Sequence, residues 1–253
     1  MQFARRLIAL TVMASIAGMV VTTMGGCAAT QVAIAKKDLD VQTKMSATIF
    51  LDPIAEAQRT VFVQVRNTSD RQELDLQGDI ANAMATKGYR VVTDPAAAHY
   101  YLQANVLFVG KTSPTASQQA LGGGYGGALG GALTGLTVGA ATGANGRSMA
   151  AGALLGGVVE SVSGALVKDV YYSIVTDVQI KERLASGKST QVAATHDLKQ
   201  GTSGAEKVTY NDSSDMRAYQ TRVVSTANQV NLEFEAALPP LRTGLTRALS
   251  GLF

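Results

Sequence analysis

The sequence predicts an α+β domain, a sandwich of α/β type, carrying an inserted glycine-rich transmembrane α-helical hairpin and repeated in a ring-like homo-oligomer. Three observations predict it. Residues 112–146 contain no charged side chain. Within and beyond that stretch glycine recurs at four-residue intervals, at Gly123, Gly127, Gly131, Gly135, Gly139 and Gly143, and again at Gly152 and Gly156. On both flanks, alternating and helical patterns succeed one another, so that strands from either side would complete one sheet.

The hairpin follows from where such a glycine row is stable. In water each glycine costs a helix roughly 1 kcal/mol against alanine. In lipid no water competes for the backbone, and helix becomes obligatory. Glycine at every fourth position then lets another backbone approach closely. A limb over 121–143 would span about 35 Å, against a bilayer core of about 30 Å. Asn145-Gly146 is a turn dipeptide, and 148–167 would return, leaving Lys111 and Lys168 on one side. Ala144, Asn145, Gly146, Arg147 and Ser148 would form the exposed tip. Glu160, late in the second limb, would have to face an interface or a wet interior. One hairpin cannot cover both of its glycine faces, hence the oligomer. A flexible linker fits less well, because the glycines alternate with Ala, Leu and Val rather than Ser, Pro or charge.

The N-terminus reads as an address. Arg5 and Arg6 form a basic start, 7–21 is apolar, and Gly25-Gly26 precede Cys27, the single cysteine. One cysteine allows no disulfide framework. Its setting resembles a bacterial lipoprotein cleavage site, which implies removal of 1–26 and lipidation of Cys27. Met24 departs from that pattern, which usually has Leu there. With Ala28-Ala29 rather than Asp after the cysteine, the same resemblance implies sorting to the outer membrane. The chain then divides into a signal (1–26), a lipidated tether (27–46), a discontinuous α/β periplasmic domain (47–110 and 169–253) and the membrane hairpin (111–168).

Taken in order, 47–51 reads as a short strand closed by Asp52-Pro53. The run 59–66 (RTVFVQVR) is a strand with Val61, Val63 and Val65 on one face. Residues 74–87 are helical, with Leu76, Ile80, Ala83 and Met84 at helical spacing and Gly88 as the stop. A strand over 89–93, a helical turn over 94–98 and a long strand over 100–109 follow. After the hairpin, 169–184 alternates as a strand, Ser186-Gly187 turns it, and 190–194 returns. The polar stretch 199–215 reads as a loop or exposed hairpin, and 218–227 as a strand. The end, 230–253, is helical but broken at Pro239-Pro240, with Pro fitting the first turn of a final helix.

Catalytic chemistry is not legible. Gly122-x-Gly124-x-x-Gly127 matches a dinucleotide fingerprint in form, yet lacks the preceding strand and the later acidic residue. GKST at 187–190 lacks the first glycine of a phosphate loop, since Glu182 occupies that place. His99 and His196 are the only histidines, so no metal cluster is expected, nor any cofactor. His196 beside Asp197 has no nucleophile partner. With a net charge of +3 and no Trp, nucleic acid is not an expected partner. The pairs Tyr100-Tyr101 and Tyr171-Tyr172 suit a membrane interface and ordinary strand packing equally.

Several blocks resemble the TraT family of conjugative-plasmid outer-membrane lipoproteins: KKDLDVQTKMSATIFLDP (36–53), RTVFVQVRNTSD (59–70), LQGDIANAMATKGYRVV (76–92), HYYLQANVL (99–107), DVYYSIVTDVQIKER (169–183), QGTSGA (200–205) and YQTRVVSTANQVNLEFE (219–235). The agreement is weakest in the glycine-rich segment, in 184–199 and after Pro240. No enzyme is expected, because no nucleophile–base pair, metal cluster or nucleotide motif is legible. The resemblance implies surface exclusion, in which conjugative DNA is kept out of cells that already carry a related plasmid, and resistance to complement. The implied partners are further copies of the chain, outer-membrane lipid and the donor cell's mating apparatus, met sterically at 144–148. An outer-membrane pore and a structural envelope lipoprotein remain the alternatives.

Overall fold

The computed structural model describes residues 34–127, 129, 168–184, 189–199 and 205–253. Its strands are β1 (Asp40–Met45), β2 (Thr60–Asn67), β3 (Arg90–Val91), β4 (Tyr100–Thr112), β5 (Asp169–Arg183), β6 (Thr190–Lys199), β7 (Ala205–Ser214) and β8 (Met216–Val230). Its helices are α1 (Gln77–Thr86), α2 (Pro114–Gly122) and α3 (Phe234–Ser250). Six strands form one mixed sheet in the order β1-β8-β5-β4-β2-β3. Only the β2 pairings with β3 and β4 are parallel, with α1 in the crossover. The sheet is curled into a half-barrel. β6 and β7 pair with each other in a separate two-stranded ribbon.

The strands have period-two patterns because one face packs on helices. Val61, Val63, Leu102, Ile174, Val178 and Val223 point to the side covered by α1 and α3, where Ile80, Met84, Leu241, Leu245 and Leu249 meet them. At one end Phe253 seats its ring edge-on against both Tyr89 and Tyr100, each 5.4 Å away between centroids. Arg242 of α3 bonds Asp79 of α1 through Nε at 3.0 Å.

The expected transmembrane hairpin is overturned. Among the described residues no helix is long and apolar enough to cross a membrane. Lys111 and Thr112 end β4, and α2 is a short helix packed on the sheet, with Ala116 and Ala120 fully buried. The helix stops where the first limb should have run on. Gly123 is its C-cap, and Gly124 and Gly126 follow at φ +63° and +68°. That left-handed backbone cannot continue an α-helix. Four-residue spacing was therefore not evidence of helix here. The fold is one curled mixed sheet with helices on both faces, not an α/β sandwich around a membrane insertion. Most of the glycine row, Gly131, Gly135, Gly139, Gly143, Gly152 and Gly156, lies outside the described residues.

Other differences have local causes. The tether contains β1, a polar edge strand paired along β8 from Asp40↔Asn228 to Met45↔Val223. Edge strands tolerate such polarity. No strand forms over 47–51. There Thr221 Oγ1 donates to the Ala47 carbonyl at 3.0 Å and accepts from its N–H at 3.1 Å, replacing a ladder bond. Pro239 and Pro240 sit inside α3 without ending it. An interior proline costs about 3 kcal/mol or more. Burying Leu241, Leu245 and Leu249 completely returns about 1.5–3 kcal/mol each.

α3 crosses the sheet closely at Gly244. A Cβ there would lie 2.7 Å from Thr43 Oγ1 and 3.2 Å from Ser225 Oγ. Gly244→Leu should therefore destabilise the domain by about 1–3 kcal/mol through overpacking, despite leucine's better helix propensity. A lowered urea midpoint checks it; an unchanged midpoint would mean α3 is free to shift.

Candidate functional site

The second face of the sheet is apolar under α2, where Val175 and Val224 meet Ala116 and Ala120, and again at its far end, where Phe62 stands edge-on to Tyr101 at 5.9 Å. A β-bulge at 106–108 lets both Leu107 and Phe108 join the patch under α2. Beyond it the face turns polar in two rungs that run straight across four strands. One is Arg66, Asn105, Asp177 and Arg222; the other is Gln64, Gln103, Gln179 and Gln220. On each strand the two polar residues are two positions apart: QVR, QAN, DVQ and QTR. The order reverses in β5 because β5 runs antiparallel to both neighbours.

Arg222 is fully buried in its rung. Its Nε and Nη2 donate to the Asp177 carboxylate at 2.6 and 3.0 Å. Nη1 donates to the Ala120 carbonyl at 3.2 Å and Nη2 to that of Gly127 at 2.8 Å. The Gly126 N–H returns a bond to Asp177 Oδ2 at 2.8 Å. The end of α2 and the glycine turn are thus wrapped around a guanidinium. The turn needs glycine for a stated reason: a Cβ at Gly127 would sit 1.9 Å from the Gly123 carbonyl oxygen. Beside this lid a cleft of about 320 Å³ opens over the glutamine rung, with Arg66, Asn105 and Tyr125 on its walls. Burial first, and the Asp177 charge second, raise the Tyr125 phenol above its ordinary value, so it stays protonated.

A clamp holds the N-terminal segment at one end of the sheet. Lys36 Nζ pairs with Asp169 and donates to Tyr171 Oη at 2.7 Å. Asn228 Nδ2 donates to Asp169 at 2.6 Å, and the Val230 N–H to the Lys36 carbonyl at 3.0 Å. Burial opposes the Lys36 charge, but the bonds to Asp169 and Tyr171 outweigh it and leave its pKa raised. The β6–β7 ribbon leaves from the opposite end, after Arg183 and before Met216.

The family model described as Enterobacterial TraT complement resistance protein matches residues 38–253, which takes in every strand and helix above. The chain belongs to the TraT family. A TraT complement resistance protein of Escherichia coli is 46% identical over 229 residues, covering 90% of this chain and 93% of the relative. That of Escherichia coli strain K12 is 43% identical, at 90% and 92%. One from Wigglesworthia glossinidia brevipalpis is 27% identical over 239 residues, at 92% and 93%.

Measured against the TraT residues singled out from sequence, the structure describes two. Gly123 and Gly127 close the turn on Arg222; the second limb they were expected to meet lies outside the described residues. Cys27, the tip residues 144–148 and the remaining glycines lie outside the described residues. Sequence reasoning missed Asp177, Arg222, the four glutamines and Lys36. The signal was present as a charge inside each of two strand runs, SIVTDVQI and YQTRVVS, and as a Gln two residues from a polar partner on four strands.

At the ribbon end the core face carries a titratable cluster. Tyr219 Oη donates to the buried Glu182 carboxylate at 2.9 Å, and Arg217 bonds Tyr219 at 3.2 Å and Asp52 at 3.1 Å. His99 stands edge-on to Tyr100, 4.7 Å between centroids, and its Nε2 meets no hydrogen-bond partner among the described residues. Burial lowers the His99 pKa below 6.5, partly offset by the Glu182 charge.

Two outcomes are expected. Arg222→Met should cost about 3–5 kcal/mol, because it strands a buried carboxylate. Adding Asp177→Leu should recover much of the urea midpoint while the 120–127 turn stays sensitive to protease, its guanidinium anchor being gone. A double variant no more stable than the single would overturn that assignment. For His99, the folded state disfavours the proton that the unfolded chain binds near pH 6.5. Stability is full above that pH and falls as pH drops through it. The Tm of the wild type should fall below that of His99→Gln, relative to their values at pH 8, from about pH 6.5 downward. Parallel pH profiles would show that His99 is not the responsible group.

Proposed function

We propose that this chain is a lipid-anchored outer-membrane protein that confers complement resistance and surface exclusion by steric and recognition effects, without bond-making chemistry. The family match over 38–253 carries the reading, together with the printed name of the relatives. Cys27 supplies the anchor; stable attachment takes two acyl chains or an equivalent second signal. The segment from Cys27 to Lys36 reaches at most about 30 Å. The Lys36 clamp would then hold the Asp169 end of the sheet towards the membrane and turn the β6–β7 ribbon away from it. Further copies of the chain are its expected partner in the membrane, and the mating apparatus of a donor cell its partner outside.

Conjugation into recipients expressing the wild type should drop several-fold, and survival in serum should rise. Both effects should vanish in Cys27→Ser. The reading fails if surface-displayed wild type changes neither. Exclusion without serum survival would leave complement resistance to the relatives alone.

A further inference from the structure

We propose that the glutamine rung and the cleft above it form a binding site for a saccharide. The rung sits on four neighbouring strands whose backbones are about 4.7–4.9 Å apart, so its amides form a rigid row. Each amide carries one acceptor oxygen and two N–H donors. Among the described residues the row is joined by one bond, Gln103 Nε2 donating to Gln64 Oε1 at 2.9 Å. Gln64, Gln103 and Gln179 are half-buried and line the cleft. Their remaining donors and acceptors face a concave space rather than bulk solvent.

The chemistry of the lining selects the ligand class. A row of neutral donors and acceptors matches hydroxyl groups, each of which donates once and accepts twice. Asp177 already spends its charge on Arg222 and Gly126, and it disfavours a dense anion nearby. Arg66, exposed at the rim, suits at most a single acidic substituent. A nucleic acid needs a run of phosphate contacts that one arginine does not provide. An apolar ligand would cover the amides and leave them unpaired, which is unfavourable. Tyr125, 40% exposed on the wall, offers an aromatic face to the C–H face of a sugar ring and a phenol donor at its edge. The cleft volume lies at the lower end of ligand pockets, about 300–1,000 Å³, and fits one or two sugar rings.

Saturation-transfer NMR on the full-length lipoprotein in a sugar-free zwitterionic detergent tests this. Two probes separate the sources of such a glycan: the N-acetylglucosamine–N-acetylmuramic acid disaccharide and deacylated lipopolysaccharide core oligosaccharide. Transfer to at least one of them is expected. Gln179→Ala should weaken it about tenfold, the worth of one or two hydrogen bonds. Gln179→Glu, which keeps the side chain's shape, should weaken it as well while the Tm stays within a few degrees. No transfer to either probe would overturn the proposal. So would transfer that both variants leave unchanged, since binding would then lie elsewhere.

Discussion

A guanidinium removed from water must find an anion and enough oxygen atoms to occupy its donors, and Arg222 meets that demand by recruiting three separate parts of the chain. Asp177 opposite it on β5 neutralises the charge. The carbonyls of Ala120 and Gly127 take further N–H groups. Four of the five donors are used, so desolvation is offset by hydrogen bonds as well as by Coulomb attraction. The cost of getting this wrong is large because removing any partner leaves a buried charge or a buried dipole unmet. The two longest strands, the end of α2 and the path of the glycine turn are therefore coupled through one side chain.

That coupling gives the sheet its two characters. The core face is a hydrophobic layer under α1 and α3, continuous from Val61 to Val223. The other face cannot be buried wholesale, because it carries the charged rung and the glutamine rung. α2 covers the apolar patch at Val175 and Val224, the glycine turn covers the ion pair, and the glutamines stay half-open beside them. Side chains fixed on strands make a preorganised surface. Such a surface suits the non-catalytic role proposed above.

The clamp at Lys36 fixes the N-terminal segment against one end of the sheet. It ties the segment before β1 to Asp169, Tyr171 and Asn228 at one end of β5 and β8. The ribbon and the Glu182–Tyr219–Arg217 cluster lie at the other end. Clamp and ribbon are thereby separated by the full length of the longest strands. The cluster also shows how polar groups are tolerated on the core face: Glu182 is buried only where Tyr219 donates to it and Arg217 stands near.

From residues alone, the alternation in RTVFVQVR, YYLQANVLFV and DVYYSIVTDVQI determined β2, β4 and β5, and the 3.6-residue spacing of Leu76, Ile80 and Met84 determined α1. A local period is enough where one face is buried and the other is wet. The family was legible for the same reason, carried by long ordered blocks rather than by any one motif. Three things needed the tertiary structure. β1 is a strand because β8 is beside it, not because DVQTKM favours one. α3 runs through two prolines because its leucines are buried. The glycines after α2 form a turn, not a helix, because Arg222, about a hundred residues on, takes the Gly127 carbonyl and its partner Asp177 takes the Gly126 N–H; a glycine row is compatible with either conformation, and only the partner that the chain brings to it decides which.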